Sequence, residues 1–582
     1  MDISRRRALG FLGVGGGVGL ASCATSGTVT DSGSSYFRMN STDVSFDHGV
    51  ATGDAMADRI VFWTRATPAS NVPQVYVTLV YSTDEQSIQD YVDGVEPQGP
   101  SQILFDHVET SASRDFTVKT DVNGLAPDTV YYYAFIAQTK TGLVVSSKGR
   151  TRTLPTSGGE KLSLAVISCS NWPFGYFNAY KALSERDDID AVVHLGDYIY
   201  EYGIDGYGGD IGEQLGRRHD PVTEIVSLED YRTRHRQYKT DPNLQAAHAR
   251  APWFCTWDDH ESTNDSYRTG AQNHNPEDNE GDWTSRKQRA VQAYLEWMPV
   301  RDPQPGRAQE SIYRKVDFGD LATIFMLESR LTGRSDEISW FDELTPDMSM
   351  PEVMTKVGEV RQRVDDPSRT MLGKVQEDWL DAGLKSSVSS GKTWQLLANQ
   401  VIMAEVKPPN LPKVLTEEQK ALLPPGFGQM LMMFSPLEQA WNLDAWDGFT
   451  AARKRLYSSA QDAGARLVTI TGDTHTAWAN DLHNGDALVG VEFGCTSVTS
   501  PGLGTSIPIE NMGQLFADAN EDVVWHDPFG NGFTMLTLTP EKAVADFYKV
   551  TTVLEEDFAV EWVAGYETTL DGGKVTPLRS VV

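Results

Sequence analysis

A chain of 582 residues with 40% apolar and 23% charged residues is a globular protein too long for one ordinary core, so two or more domains are expected. Its 81 acidic against 50 basic residues give a formal net charge of −31, which excludes nucleic acid and anionic lipid as bulk electrostatic partners. Its four cysteines, Cys23, Cys169, Cys255 and Cys495, are too few for a disulfide framework, so each unpaired thiol in an exported protein needs its own reason.

Residues 1–27 read as a targeting segment outside the fold. Ser4-Arg5-Arg6-Arg7-Ala8-Leu9 is similar to a twin-arginine export signal, with Ala8 where Phe is common. It predicts passage through the twin-arginine translocase to a periplasmic or extracellular location. That route moves folded proteins and suits one that takes up metal before crossing. The apolar stretch at residues 9–21 is Gly-rich and too short to span a bilayer. Leu20-Ala21-Ser22-Cys23 resembles a bacterial lipobox, which makes Cys23 the expected lipidation site and mature N-terminus. A plain cleaved signal with an incidental cysteine is the alternative. A lipid on Cys23 would be the chain's one tie to the membrane. Residues 28–45, which open Ser/Thr/Gly-rich, read as a flexible tether.

Residues 46–155 carry an all-β pattern. Arg59-Ile60-Val61-Phe62-Trp63-Thr64 and Gln74-Val75-Tyr76-Val77-Thr78-Leu79-Val80 are β-branched and aromatic runs. The Pro127-Asp128 turn leads into Tyr131-Tyr132-Tyr133, as at the tyrosine corner of immunoglobulin-like sandwiches. A small β-sandwich of the immunoglobulin or fibronectin-III type is predicted, with a packing or positioning role. Residues 151–159 read as the linker that follows it.

Residues 160–582 are the predicted catalytic domain. An apolar strand ending at Ile167 meets Ser168-Cys169-Ser170-Asn171, and helical spacing follows over residues 176–183. Then comes Ala191-Val192-Val193-His194-Leu195, an aliphatic run broken only by His194. This is a βαβ unit, and parallel neighbouring strands would bring Cys169 and Asp197 to one sheet edge. The second strand stops at Gly196-Asp197, where layered α/β folds place their chemistry. Tyr200, three residues on, can turn to the same point. Carboxylate and phenolate oxygens are hard donors for a highly charged cation. Alone, the Asp197 segment is equally a strand ending in a capped turn, and Cys169 equally a small buried hydrophobe.

Trp253-Phe254-Cys255-Thr256-Trp257 is the next short apolar strand, and it runs into Asp258-Asp259-His260-Glu261. Four ionisable residues directly after a buried strand fit solvent decoration poorly. Asn264 and Asp265 follow closely, and residues 272–282 read as a surface loop near the site mouth. Ser285 is predicted to cap a helix whose stripe of Ala290, Val291, Tyr294, Leu295 and Met298 is core. Three more buried strands end at Glu328-Ser329-Arg330, at Asn399-Gln400 and at Gly472-Asp473-Thr474-His475. Alternation about Thr474 predicts Asp473 and His475 on one side of an extended segment, with Gly472 allowing close backbone approach. Strand ends bearing these groups together form the ligand set of a dinuclear metal site. Such a site clamps a phosphoryl group and generates hydroxide from bound water at mild pH.

These residues resemble the alkaline phosphatase D family of bacterial metallophosphoesterases over nearly the whole mature chain. The resemblance rests on Gly49-Val50-Ala51-Thr52-Gly53-Asp54 and Val61-Phe62-Trp63-Thr64-Arg65. It continues in Leu195-Gly196-Asp197-Tyr198-Ile199-Tyr200-Glu201-Tyr202, Trp257-Asp258-Asp259-His260-Glu261, Trp446-Asp447-Gly448 and Gly472-Asp473-Thr474-His475. It implies an α/β fold: an αββα metallophosphoesterase sandwich, related to purple acid phosphatases, behind the small β-sandwich. It also implies Fe³⁺ with Ca²⁺ beside it. By this resemblance Cys169, Asp197, Tyr200 and His475 hold iron, and Asp197 bridges to calcium. Asp259 and Asp473 serve the calcium side, with Asn399 or Gln400 as further donors. His260 contacts the phosphate or the leaving group, so Asp197, Asp259 and His260 are the catalytic set. Asn171, Asp258, Asn264 and Arg330 join Asn399 and Gln400 as candidates for metal or substrate contact. Three positions depart from the family pattern: Glu328 where Asp is common, Asp265 where a second Asn is common, and Phe449 where Tyr is common. They bear on the substrate side.

The expected protein is an exported phosphoesterase acting on small-molecule or lipid phosphate esters at neutral to alkaline pH. A phosphodiesterase or phospholipase D-like enzyme is the alternative within the class. A non-catalytic surface lipoprotein that binds phosphate or metal is the alternative outside it, and the intact ligand set argues against that.

Overall fold

The computed structural model describes residues 37–95, 103–345, 347–424 and 426–581. The targeting segment, Cys23 and most of the tether lie outside the described residues. Among the described residues no helix is long and apolar enough to cross a membrane.

Two mixed sheets organise the chain. The first has Leu162–Ile167, Ala191–His194, Trp253–Cys255 and Val50–Gly53 at its centre, adjacent and parallel in that order. The second is built on Ala322–Met326, Trp394–Ala398, Leu467–Thr471 and Ala487–Gly494, also parallel neighbours. These strands are buried on both faces, as continuous aliphatic runs of parallel strands require. Alternation divides each strand between two cores. Leu164, Val166 and Val193 meet Ile324, Leu396, Val468 and Ile470 in a core between the sheets. Ala165, Ile167 and Val192 face the other way, onto the helices Asn178–Ser184, Pro242–Arg250 and Trp283–Trp297. Phe325, Leu397 and Leu467 face Lys374–Ser389 and Thr450–Ala463. The layers run helix, sheet, sheet, helix.

The N-terminal segment is also β, but it does not stand apart. Gly149–Arg152, Val130–Thr139, Gln74–Ser82 and Leu104–Ser111 form one sheet. Facing it, Val50–Gly53, Arg59–Arg65 and Thr117–Asn123 continue the first catalytic sheet through the parallel pairing of Gly53 with Trp253. The expected tyrosine turn is present: the Tyr131 hydroxyl accepts the Ala126 N–H at 2.9 Å. Strand Gly149–Arg152 takes up the start of the expected linker. The helix predicted to start from Ser285 starts earlier, at Trp283, capped by Asp282, whose side chain accepts from the Ser285 N–H at 3.0 Å. Its predicted stripe is core.

Candidate active site

Strand register brings the ligands together. Ile167 lies opposite His194, so Cys169 and Asp197 leave their strands side by side, with the Cys169 N–H donating to the Gly196 carbonyl at 3.1 Å. The second sheet delivers Asp473 and His475 from the end of Leu467–Thr471. The sheets meet closely here: a Cβ on Gly472 would lie 2.6 Å from Ser168 Oγ. The segment from Asp473 to His475 is not the extended one expected. Asp473 (φ 65°) and His475 (φ 60°) are left-handed, as are Cys169 (φ 60°) and Asp197 (φ 54°). Four non-glycine residues in that region cost about 1–2 kcal/mol each, strain of the kind that clusters at functional sites.

Two groups of ligand atoms result. The ligand atoms of Cys169, Asp197 and His475 lie within 4.8 Å of one another, as do those of Asp197, Asp259 and His260. Asp197 belongs to both. The Tyr200 hydroxyl joins the first group, 3.1 Å from Asp197 Oδ2 and 3.3 Å from His475 Nε2. His475 Nδ1 lies 3.1 Å from the Pro501 carbonyl, which fixes that nitrogen as donor and leaves Nε2 with a lone pair free to ligate.

The donor set fits metal ions. Asp197 Oδ1, both side-chain polar atoms of Asn171, Asp258 Oδ2, Asn399 Oδ1 and Gln400 Oε1 are buried without a hydrogen-bond partner. Burial pushes the Asp197 carboxyl well above the usual carboxylate range, and Asp259, Asp258 and Glu261 push it further against the pull of His260. Burial and then Asp197 raise the Cys169 thiol and the Tyr200 phenol in the same way. Such a site is short of positive charge, and bound cations would reverse all three shifts. Burial pulls His475 down to about 4, which keeps it neutral as a ligand.

The remaining expected residues divide between chemistry and scaffolding. His260 donates through Nδ1 to Glu201 at 2.7 Å. Burial opposes its charge, but Glu201, Asp259 and Asp197 outweigh burial and hold the imidazolium. Burial also pushes Asp259 up, but Arg330 and His260 prevail and keep it ionised. The fully buried Arg330 pairs with Asp258 and, at 2.7 Å, with Asp444. Its Nη2 stands 3.8 Å from both Asp259 and Asp473 and has no hydrogen-bond partner. Asp258 thus serves Arg330, and it stands in neither ligand group. Asn399 and Gln400 are buried, but their amide nitrogens are spent on the Val401 carbonyl and on Thr256 and Leu327. Asn264 spends its amide nitrogen on Gln272 at 3.1 Å, and its N–H donates to Glu201 at 2.8 Å.

Two acids are staples. Glu261 accepts the N–H groups of Asp197 (3.1 Å), Tyr198 (2.7 Å) and Asp258 (2.9 Å), and so ties the two ligand loops together. Glu328 accepts from Trp257 Nε1 (2.8 Å) and from the N–H groups of Arg330 (3.0 Å), Leu331 (2.6 Å) and Thr332 (2.8 Å). Its departure from the family pattern therefore falls on a turn, not on substrate. Glu201, Ser500 and Asp444 were not foreseen in the site. Ser500 Oγ lies 2.7 Å from the Tyr200 hydroxyl. Only Glu201 left a signal, as an acid following the apolar strand and three residues beyond Tyr198.

The PhoD-like phosphatase model matches residues 164–547, and the PhoD-like phosphatase N-terminal domain model matches residues 31–155. Alkaline phosphatase D of Bacillus subtilis (strain 168) is 32% identical over 538 residues, covering 90% of this chain and 80% of that protein. A solved structure of PhoD is similar with a TM-score of 0.71 at 29% identity, covering 92% of each chain. The chain belongs to the PhoD-like phosphatase family, a hydrolase of phosphoric esters, and the converging strand ends are its candidate site.

Proposed function

We propose that this enzyme is an exported, metal-dependent alkaline phosphatase that hydrolyses organic phosphate esters with Fe³⁺ and Ca²⁺. The observation that carries the reading is Asp197, shared by two ligand groups and left with a free, buried Oδ1. Cys169, Asp197, Tyr200 and His475 would hold the iron; thiolate, carboxylate, phenolate and imidazole suit a trivalent ion. Asp197, Asp259 and Asp473 would hold calcium through oxygen. When bound, the metals supply Lewis acidity toward the phosphoryl oxygens and the nucleophile.

The chain's own groups do the rest. The His260 imidazolium, oriented by Glu201, presents Nε2 to the ester and can give a proton to the leaving oxygen. Arg330, held by Asp258 and Asp444, adds a fixed cation beside Asp259 and Asp473. Burial keeps water away from these contacts, so they act at low dielectric. The N-terminal strands, read as an immunoglobulin- or fibronectin-III-like sandwich, brace the sheet that carries Asp197. Export through the twin-arginine route and a lipid on Cys23 complete the proposal.

Elemental analysis of the purified protein beside a panel of phosphate mono- and diesters tests it. The expected result is iron and calcium with monoester turnover lost on chelation. Full activity with neither metal present would overturn it.

A further inference from the structure

An aromatic side chain packs beside the site without any part in the ligand groups. Tyr207 lies in the loop Gly203-Ile204-Asp205-Gly206-Tyr207-Gly208-Gly209, a few residues beyond Tyr200. The loop is pinned: Gly208 has φ +89°, and a Cβ there would lie 2.8 Å from the Phe174 ring. A side chain at that position would be strained and would crowd the Phe174 ring, so glycine lets the loop lie close against it. Its ring centroid is 4.7 Å from that of Phe174, edge-on at 62°. It is 5.8 Å from Tyr202 and 6.4 Å from Tyr200. Tyr202 in turn lies 5.5 Å from His260. Tyr200 is fully buried, yet Tyr207 remains 37% exposed.

A phosphate ester has two ends. The phosphoryl end belongs among Asp197, Asp259, His260 and Arg330, and the alcohol end must project past His260 toward the open side. On that side stand Tyr202 and Tyr207, backed by Phe174. We propose that these three rings form a wall that receives the alcohol portion of the ester, so that the enzyme prefers phosphate esters of aromatic alcohols to those of short aliphatic ones. The proposal rests on the catalytic reading of this site. Aromatic rings pair edge-on or offset and add to affinity beyond the area they bury. The exposed part of Tyr207 is available for such a pairing, with Phe174 holding the ring from behind.

Benzyl and ethyl phosphate test it, because their parent alcohols are similarly weak acids and the chemical step does not bias the comparison. Wild type is expected to show the higher kcat/KM on benzyl phosphate, through KM. In Tyr207→Ala the benzyl-to-ethyl ratio should fall roughly three- to tenfold, the size of one aromatic pair. Tyr207→Phe should keep the wild-type ratio. An unchanged ratio in Tyr207→Ala, or no preference in wild type, would overturn the wall. A ratio lost equally in Tyr207→Phe would assign the effect to the hydroxyl and overturn it too. Wild-type protein that turns over neither ester would overturn the catalytic reading beneath it.

Discussion

At Asp197 one carboxylate belongs to two groups of ligand atoms, and under the proposed metal reading its loss should damage both. Asp197→Asn keeps the size but removes the charge, and an amide is a poor bridge between cations. Activity is expected to fall by several orders of magnitude and both metals to be lost, with the fold retained because Asp197 lies in the turn beyond the strand Ala191–His194 and outside the apolar core. His260→Ala should differ: metals stay, and turnover falls about 10²–10⁴-fold, the range for one lost acid–base or electrostatic group. Metal content and kcat on both variants check this; Asp197→Asn with both metals and near wild-type kcat would undo the assignment. Tyr200→Phe adds a spectroscopic test. A phenolate on Fe³⁺ absorbs visible light by charge transfer, so the variant should lose that band while iron remains bound. Cys169, Asp197, Asp259, His260 and His475 were legible because polar residues at the ends of buried strands are rare enough to read one by one. Ser500 and Asp444 were not, because each acts on a partner far along the chain, Ser500 on Tyr200 and Asp444 on Arg330. The left-handed turns at Asp473 and His475 were missed for another reason: alternation describes strands, and the strand had already ended at Thr471.

Among the elements, the strand Arg59–Arg65, the helix Leu228–Tyr238 and the Asp197 loop meet at one buried ammonium. Lys239 closes that helix, and its Nζ lies 4.4 Å from the Trp63 ring, 5.2 Å from the Tyr198 ring and 3.2 Å from His248 Nε2. Among the described residues no carboxylate pairs with it; the two ring faces stand in place of one. Burial therefore pulls its pKa from 10.5 down to about 7, with Cys255 opposing weakly. The sign follows from linkage. Between pH about 7 and about 10.5 the unfolded chain binds this proton and the folded chain releases it, so the native state gains stability as pH rises. Each pH unit in that window is worth at most about 1.4 kcal/mol. Lys239→Met should remove the gain. Thermal midpoints at pH 7 and pH 9.5 are expected to favour wild type increasingly over the variant; an equal difference at both pH values would refute the assignment. Nothing local forecast this junction. The apolar run around Trp63 predicted a strand, but the sheet it joins is set by the pairing of Gly53 with Trp253, two hundred positions away in sequence and without a periodic signature.

Over the whole molecule, the layered α/β plan was legible because most of its parallel strands are short, buried apolar runs that end abruptly in polar residues. The same plan disperses the site. Its ligand groups come from Cys169, Asp197, Asp259, His260 and His475, and Ser500 supports Tyr200 from still further along. They meet only after both sheets have formed and packed, because the segments that deliver them are strand ends from two different sheets. On the proposed reading, metal uptake would therefore be a late event that requires most of the chain to be folded. A protein loaded inside the cell must cross the membrane already folded, which is the service the twin-arginine route provides. Arg5 and Arg6 lie outside the described residues, and the proposed export signal rests on them. Replacing both, Arg5→Lys with Arg6→Lys, should stop export without touching the fold. The double variant is expected to accumulate inside the cell as precursor that is iron-loaded and active on a monoester. In wild type the mature chain should appear outside the cytoplasmic membrane, with Cys23 acylated by mass spectrometry. Fractionation, metal content and activity read the outcome together. Export of the double variant at the wild-type level would remove the twin-arginine assignment. Retained precursor that is folded but empty of iron would break the proposed link between folding, metal uptake and route.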